Sequence, residues 1–236
     1  MSDLVYLTRE PTRPSEGKAP LLLLLHGLGS HEADLMGLAP YVDGRFFVVS
    51  ARGPVTLAPG AYAWFHTEFT QHTEFTQHGP VINQAEAEQS RRTLARFIDE
   101  LVETYDLDPD RIYLMGFSQG AIIGLSIALT EPEKLAGVVA MSGRILPQVG
   151  QQIAAPDRLT GLPVLVVHGL YDPLLPVDEY GRPARALLAR LPVALTYREY
   201  SMAHQVSDES LTDVTRWLTE HLDRPRRGDV TQMEPG

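Results

Sequence analysis

The sequence contains no cysteine, and this absence excludes several kinds of chemistry at once. Disulfide bonds, thiolate metal sites and a cysteine nucleophile are all excluded, so a covalent catalyst would have to be another side chain. No stretch approaches the roughly 18 consecutive apolar residues of a membrane-spanning helix. Residues 1–4 also lack the basic and apolar regions of a secretory signal. These absences predict a soluble, cytoplasmic protein without stable membrane insertion.

Basic residues are scarce. The chain has 20 Lys and Arg against 30 Asp and Glu, a formal net charge of -10 and a pI of about 5.2. Because phosphate binding requires clustered Lys and Arg, this balance disfavours nucleic acid and favours a neutral or cationic small-molecule substrate. With 236 residues, 44% of them hydrophobic, the chain can bury one sizeable core. We predict a single domain over residues 1–222 and a flexible C-terminal tail over 223–236.

Short apolar runs alternate with longer helical patterns along the chain. Continuous apolar runs of this kind are typical of parallel strands that are buried on both faces. The alternation predicts an α/β fold with a mainly parallel central sheet, helices on both faces, and a site at the carboxyl ends of the strands. The predicted strands are 4–7, 21–25, 46–51, 112–115, 135–141, 162–169 and 194–200, and the clearest helices are 83–105, 121–129 and 178–190.

A serine lies between one of these strands and the helix that follows it. Residues 116–120, Gly-Phe-Ser-Gln-Gly, fit G-x-S-x-G, in which a sharp turn exposes the serine hydroxyl. Glycines suit both ends of the motif because side chains there would collide with the adjoining strand and helix. The pentapeptide by itself arises by chance in about one chain of this length in ten. Its position between an apolar strand and an apolar helix makes Ser118 the predicted nucleophile.

A carboxylate follows a later strand. Asp172 lies just past residues 162–169, in a proline-flanked turn that can present an ionised carboxylate to an imidazole. An ordinary Asx-turn is the structural alternative. Asp178 and Glu179 are rivals for the same role, but they more naturally begin the next helix. We therefore predict that Asp172 is the acid of the site.

The base is predicted from position among eight histidines. His204 follows the last strand, 194–200, lies downstream of Asp172 and falls outside any predicted helix. His221 instead belongs to the final amphipathic helix, near a C-terminus where the helix dipole favours it. His204 is therefore the predicted base.

Other loops supply candidate binding groups. Two glycines after the strand 21–25 free backbone N–H groups to face a cleft, which suggests the Leu28 N–H as half of an oxyanion hole; a plain turn is the alternative. Four apolar residues near strand ends are candidate walls of a substrate pocket, although the two aromatic ones suit a buried core equally well. These four residues are Trp64, Phe65, Leu174 and Met202.

Residues 66–71, His-Thr-Glu-Phe-Thr-Gln, recur unchanged as residues 72–77. The unit is too short for a solenoid repeat, which needs about 20 residues or more. His66, His72 and His78 inherit their spacing from this duplication, and that spacing matches no known ligand pattern. We therefore predict solvated loop histidines and no metal site. Whether the repeat is natural or engineered, and what it does, stays open.

Over roughly residues 20–222 the sequence resembles the bacterial phospholipase/carboxylesterase family, which includes acyl-protein thioesterases. The order Ser118, Asp172, His204 is that of the α/β-hydrolase fold. The resemblance implies that the Leu28 and Gln119 N–H groups form the oxyanion hole. Two features depart from the family pattern: the duplicated hexapeptide, and Ala203 where relatives usually have glycine. The matching motifs are residues 25–29, 63–65, 116–120, 168–169 with 172–173 and 176–177, and 202–204.

These observations predict a serine carboxylesterase that needs no cofactor and acts on short to medium acyl or aryl esters. An acyl thioesterase or lysophospholipase with the same three residues is the first alternative. A ligand-binding protein on a hydrolase scaffold is the second, since a fold alone does not establish activity. The sequence does not specify the natural ester, and it leaves a monomer and a homodimer as alternatives.

Overall fold

A twisted sheet of seven strands forms the centre of the protein in the computed structural model, which describes residues 4–68 and 81–224. The strands are β1 (Tyr6–Arg9), β2 (Leu21–Leu25), β3 (Phe47–Ala51), β4 (Val55–Ala58), β5 (Ala61–Ala63), β6 (Thr67–Glu68), β7 (Val81–Ile82), β8 (Ile112–Phe117), β9 (Gly137–Met141), β10 (Pro163–Gly169) and β11 (Ala194–Tyr200). The spatial order in the central sheet is β1-β3-β2-β8-β9-β10-β11, and β4–β5 and β6–β7 form two small antiparallel pairs.

Six of the seven strands run parallel, and β1 pairs antiparallel with β3 at one edge. Every residue of β2, β3 and β9 is buried, as the continuous apolar runs predicted. Because parallel strands end at the same edge, the segments after β2, β8, β10 and β11 come together there.

Helices cover both faces of the sheet, and alternate residues of β2 separate two cores. Leu21, Leu23 and Leu25 belong to a core shared with the helices over Gln84–Thr104 and Gln119–Thr130. Leu22 and Leu24 belong to a core on the other face, shared with the helices over Glu32–Met36 and Asp208–Leu222. The predicted fold is confirmed. The α-helices are α1 (Glu32–Met36), α2 (Gln84–Thr104), α3 (Gln119–Thr130), α4 (Pro156–Leu159), α5 (Gly181–Leu188) and α6 (Asp208–Leu222), with 3₁₀ turns at Ala39–Tyr41, Pro132–Lys134 and Val149–Gln151.

The ends of the predicted segments shift by a few residues. The edge strand lies at Tyr6–Arg9, two residues later than predicted, and the helix predicted over 178–190 is Gly181–Leu188. Asp223 is the C-cap of α6, and its carboxylate pairs with Arg45 at 2.7 Å. Residues 225–236 of the predicted tail and most of the hexapeptide repeat lie outside the described residues. No helix within 4–68 and 81–224 is long and apolar enough to cross a membrane.

The helix α3 begins in very close contact with the sheet. A Cβ added to Gly120 would lie 1.9 Å from the carbonyl oxygen of Leu25 in β2, and one added to Gly116 would lie 2.4 Å from the backbone of Gly120. Both distances are far below van der Waals contact. At Gly124, one turn further along α3, the nearest atom would be 3.6 Å away on Val138, which is ordinary packing. Glycine is therefore required at the start of α3 and replaceable one turn later.

We predict that Gly120→Ala lowers the free energy of unfolding by about 3 kcal/mol, because the methyl group forces backbone apart at a packed contact. Gly124→Ala is the matched control in the same helix. Because alanine has a higher helix propensity than glycine, this variant should be as stable as the unaltered protein or more stable by up to about 1 kcal/mol. Urea unfolding of both variants checks the prediction. Equal stabilities for the two variants would contradict this account of the contact.

Candidate active site

Ser118 lies at the turn between β8 and α3. Its backbone has φ 53° and ψ −115°, a region that non-glycine residues rarely occupy. The Ser118 N–H donates to the Met141 carbonyl at 2.9 Å, which joins the turn to the neighbouring strand β9. The side chain consequently projects from the sheet edge at the N-terminus of an apolar helix. The turn matches the strand, sharp bend and helix that residues 112–129 predicted.

The three side chains predicted for the site form one chain of hydrogen bonds. His204 Nε2 lies 2.9 Å from Ser118 Oγ, and His204 Nδ1 lies 2.7 Å from Asp172 Oδ2. The Asp172 side chain is fully buried and that of His204 is 12% exposed. A carboxylate that accepts from Nδ1–H leaves Nε2 free to accept a proton from the hydroxyl. The arrangement can therefore make the Ser118 hydroxyl nucleophilic.

The Asp172 carboxylate is held in its ionised form. Its second oxygen, Oδ1, accepts hydrogen bonds from the backbone N–H groups of Leu174 at 2.9 Å and Leu175 at 2.8 Å. Burial by itself would raise the pKa of Asp172, but the hydrogen bonds from His204 and from these two N–H groups outweigh it, so the pKa lies below its usual value. The proline-flanked turn supplies these donors, as an Asx-turn does.

The rival residues lie elsewhere. Asp178 pairs with Arg182 on the surface, and Glu179 is exposed just before α5. His221 is buried in α6, where its Nδ1 lies 2.8 Å from the Trp217 carbonyl oxygen. The hydrogen bonds of the site thus single out Asp172 and His204 among the candidates.

A second buried histidine supports the Asp172 turn, and its contacts could not be inferred from sequence. His168, at the end of β10, has no exposed area, and its Nε2 donates to the Leu175 carbonyl at 2.7 Å. Leu175 therefore accepts from His168 through its carbonyl and donates to Asp172 through its N–H. The same Nε2 lies 3.6 Å from Asp172 Oδ2. Burial is the main cause that lowers the pKa of His168, so the ring is neutral.

The loop after β2 passes directly beside Ser118. A Cβ added to Gly27 would lie 3.2 Å from the Phe117 ring and 3.3 Å from the Ser118 Cβ, so a larger residue there would crowd the nucleophile. The neighbouring N–H of Leu28 and the N–H of Gln119, the first residue of α3, are the two predicted oxyanion donors. The first N–H groups of a helix have no partner within the helix and carry its positive dipole. The Gln119 N–H thus lies at the positive end of α3 directly after Ser118, and the Leu28 N–H follows the glycine that contacts Ser118.

Trp64 and Phe65, which the sequence allows either as a pocket wall or as buried core, are both fully buried in the core. Backbone and indole groups hold this segment in place. The Trp64 indole N–H donates to the His26 carbonyl at 2.9 Å, and the Trp64 backbone N–H donates to the Gln119 side-chain oxygen at 2.9 Å. The Gln119 amide then donates to the Phe65 carbonyl at 2.8 Å and to the Thr67 hydroxyl at 2.9 Å.

Met202 is also buried, at 4% exposure, and packs in the core shared with α6. Leu174 is 49% exposed beside Asp172, together with Leu170 and Tyr171 on the same loop. Three exposed apolar side chains, those of Leu170, Tyr171 and Leu174, thus lie on the loop that carries Asp172, and we call them the apolar rim.

His66 pairs with a carboxylate. Its Nδ1 lies 2.9 Å from Glu86 Oε2 at the start of α2. No group of three or more histidine, aspartate or glutamate residues within 4–68 and 81–224 is arranged to hold a metal ion. His72 and His78 lie outside these residues.

Three features define an α/β-hydrolase. They are the order of the strands in the sheet, the G-x-S-x-G turn that carries Ser118, and the occurrence of Ser118, Asp172 and His204 in that order along the chain. The phospholipase/carboxylesterase family model matches residues 10–222, so the chain belongs to that family. It is 30% identical to the Bacillus subtilis (strain 168) protein MhqD, over 86% of this chain and 94% of that one. It is 28% identical to acyl-protein thioesterase 1 of Kluyveromyces lactis, over 86% and 92%.

A solved structure shows the same architecture. The Bacillus cereus carboxylesterase superposes with a TM-score of 0.76 at 26% identity, over 93% of this chain and 95% of that one. These matches make the protein a hydrolase of the esterase and thioesterase type.

We predict that the free energy of unfolding decreases as the pH falls from about 7.5 to about 5.5. Burial lowers the pKa values of His26 and His168, so the unfolded chain binds more protons than the folded protein below a pH of about 6.5. Below that pH, each of these two histidines lowers the free energy of unfolding by up to about 1.4 kcal/mol per pH unit. Well above a pH of about 6.5 the histidine is neutral in both states, so none of this stability is lost.

Urea unfolding across this pH range measures the slope. His168→Gln keeps a donor near the position of Nε2 and cannot titrate, so it should show a shallower slope than the unaltered protein. The same slope in both proteins, or stability that rises on acidification, would contradict the buried neutral state of His168.

Proposed function

We propose that the protein is a serine carboxylesterase that hydrolyses short to medium acyl or aryl esters through an acyl-enzyme. The observation that carries the proposal is the chain of hydrogen bonds from Ser118 through His204 to Asp172 at 2.9 Å and 2.7 Å. Family membership supports the hydrolytic reaction type.

In the proposed reaction, His204 Nε2 takes the hydroxyl proton as Ser118 Oγ attacks the ester carbonyl carbon. Asp172 orients the imidazole and stabilises the imidazolium that forms. His204 then gives the proton to the departing alcohol, which leaves an acyl group on Ser118. Water attacks this acyl group with the same proton transfers and releases the carboxylic acid and the free serine.

The developing oxyanion would be stabilised by the N–H groups of Leu28 and Gln119. Removal of one oxyanion donor in other serine hydrolases costs about 10²–10³-fold in kcat. The Gln119 group adds the positive end of the α3 dipole, and α3 is anchored because the Gln119 side chain is bonded to the Trp64–Phe65 segment. This anchoring would keep the donors in place before the substrate binds.

The preference for small esters rests on the small number of exposed apolar side chains that the described residues place on the loop that carries Asp172. Leu170, Tyr171 and Leu174 offer apolar surface on one loop, while Trp64, Phe65 and Met202 are unavailable because they are buried. A limited apolar rim suits a short acyl or aryl group. The likeness to the Bacillus cereus carboxylesterase supports ester hydrolysis, and the likeness to the Kluyveromyces lactis acyl-protein thioesterase supports acyl thioesters as the second candidate.

The nucleophile is tested by Ser118→Ala, which removes the attacking oxygen and leaves the rest of the site unchanged. We expect kcat for p-nitrophenyl butyrate to fall by about 10⁴-fold or more. A fluorophosphonate should label the unaltered protein at Ser118 and fail to label the variant. Near-full hydrolysis by the variant would contradict the proposal. Failure of the unaltered protein to hydrolyse or react would favour the ligand-binding alternative.

The leaving group is tested by comparing kcat/KM for p-nitrophenyl acetate, butyrate, octanoate and palmitate, for butyryl and palmitoyl thioesters, and for a lysophospholipid. We expect the highest value for the acetate to octanoate esters, because a limited rim buries only a few methylene groups at about 0.8 kcal/mol each. Faster cleavage of the palmitoyl thioester would instead assign an acyl thioesterase. Faster cleavage of the lysolipid would assign a lysophospholipase.

A further inference from the structure

The oxyanion loop, defined as residues 27–30, is joined by two backbone hydrogen bonds to the β4–β5 hairpin. The Gly29 N–H donates to the Tyr62 carbonyl at 2.8 Å, and the Tyr62 N–H donates to the Ser30 carbonyl at 2.8 Å. Gly29 has φ +77°, which a larger residue would adopt only under strain. The position of the Leu28 N–H therefore depends on where Tyr62 is held.

The hairpin by itself is a weak support. Its strands have four and three residues, and most of its tip is exposed. Isolated two-stranded pairs are marginally stable in water. The buried Trp64 segment anchors one end of the hairpin, and a contact to Tyr62 from outside the hairpin would add to that support.

Arg52, just after β3, makes that connection. Its guanidinium carbon lies 4.3 Å from the centre of the Tyr62 ring. Its Nε and Nη2 atoms donate to the two carboxylate oxygens of Glu32 at 2.6 Å and 2.5 Å. Glu32 begins α1, two residues after Ser30, so the contacts close a ring around the oxyanion loop. We call Glu32, Arg52 and Tyr62 the loop clamp.

The chemistry of the clamp requires arginine. A guanidinium can bind a carboxylate through two parallel hydrogen bonds while its flat face stacks on an aromatic ring, and a lysine ammonium cannot do both. The pair is partly shielded, since the Arg52 and Glu32 side chains are 27% and 12% exposed. Hydrogen bonds from Arg52 lower the pKa of Glu32 to about 2, so both groups are charged at neutral pH.

We propose that Arg52 is a positioning residue for ester hydrolysis: it fixes the oxyanion loop, and thereby the Leu28 N–H, through Tyr62 on one side and Glu32 on the other. Arg52 touches no reacting atom in this role. The inference rests on the proposed function, because it assigns the Leu28 N–H to the oxyanion hole. The buried contacts of His26 and Trp64 hold the loop from within, and the clamp holds it from the solvent side.

The test compares Arg52→Met, Arg52→Lys, Tyr62→Leu and Tyr62→Phe with the unaltered protein. In Arg52→Met and Tyr62→Leu we expect kcat for p-nitrophenyl butyrate to fall about tenfold or more, with KM changed less than about twofold, because oxyanion stabilisation acts in the transition state. Arg52→Lys should have a kcat between those of Arg52→Met and the unaltered protein. Tyr62→Phe keeps the ring, so its kcat should be close to that of the unaltered protein.

Arg92→Met is the control for loss of an arginine that pairs with a carboxylate, because Arg92 contacts Glu88 at 2.6 Å within α2, with its side chain more exposed than that of Arg52. It should leave kcat unchanged. Hydrogen exchange of peptides that span residues 27–30 gives a readout that does not require turnover, and it should be faster in Arg52→Met than in either the unaltered protein or Arg92→Met.

The outcomes separate the clamp from the proposed function. Unchanged exchange at residues 27–30 in Arg52→Met would overturn the clamp whether or not the protein hydrolyses esters. Faster exchange with unchanged kcat would overturn its link to the oxyanion hole. Faster exchange in a protein whose unaltered form has no esterase activity would retain the clamp and overturn the function. A loss confined to KM would assign Arg52 to ground-state binding and overturn positioning.

Discussion

The contact between the start of α3 and the strand β2 is the constraint on which the site depends. With no side chain at Gly120, the helix can begin against the Leu25 carbonyl, and with none at Gly116 the turn between β8 and α3 can close. That turn holds Ser118 at φ 53° and directs its hydroxyl away from the sheet. The same contact brings β2 and α3 together, and the loop after β2 passes beside the serine from which α3 begins.

Support for the site comes in layers from residues that do not react. His168 fixes Leu175, whose N–H holds the Asp172 carboxylate. The Gln119 side chain fixes the Trp64–Phe65 segment, and Trp64 in turn bonds to His26 at the base of the oxyanion loop. Each of these connections is a buried polar group with a specific partner, and such groups are costly to leave unpaired. We therefore interpret these buried hydrogen bonds as fixing the site from within the protein. In the proposed role, the loop clamp adds a charged pair and an aromatic contact on the solvent side.

The sequence predicted the fold and the proximity of Ser118, Asp172 and His204 because both follow from patterns of local origin. Apolar runs mark buried parallel strands, and parallel strands bring their carboxyl ends to one edge. Hydrophobicity does not distinguish an exposed wall from a buried ring, so the sequence left both interpretations open for Trp64 and Phe65, which are fully buried. It also did not predict that Leu170 and Tyr171 are exposed beside Leu174. The roles of His168 and Arg52 depend on contacts between residues distant in sequence, which no local pattern encodes.

The central claim is that Ser118 forms a covalent acyl intermediate, and mass spectrometry tests it most directly. The protein would be mixed with p-nitrophenyl butyrate, quenched in acid during the first turnover, and examined as intact protein and as peptides. The account predicts an increase equal to one butyryl group, located on Ser118 and absent from Ser118→Ala. A butyryl group on another residue, or turnover of the ester with no acylated protein and no initial burst of p-nitrophenol, would contradict it.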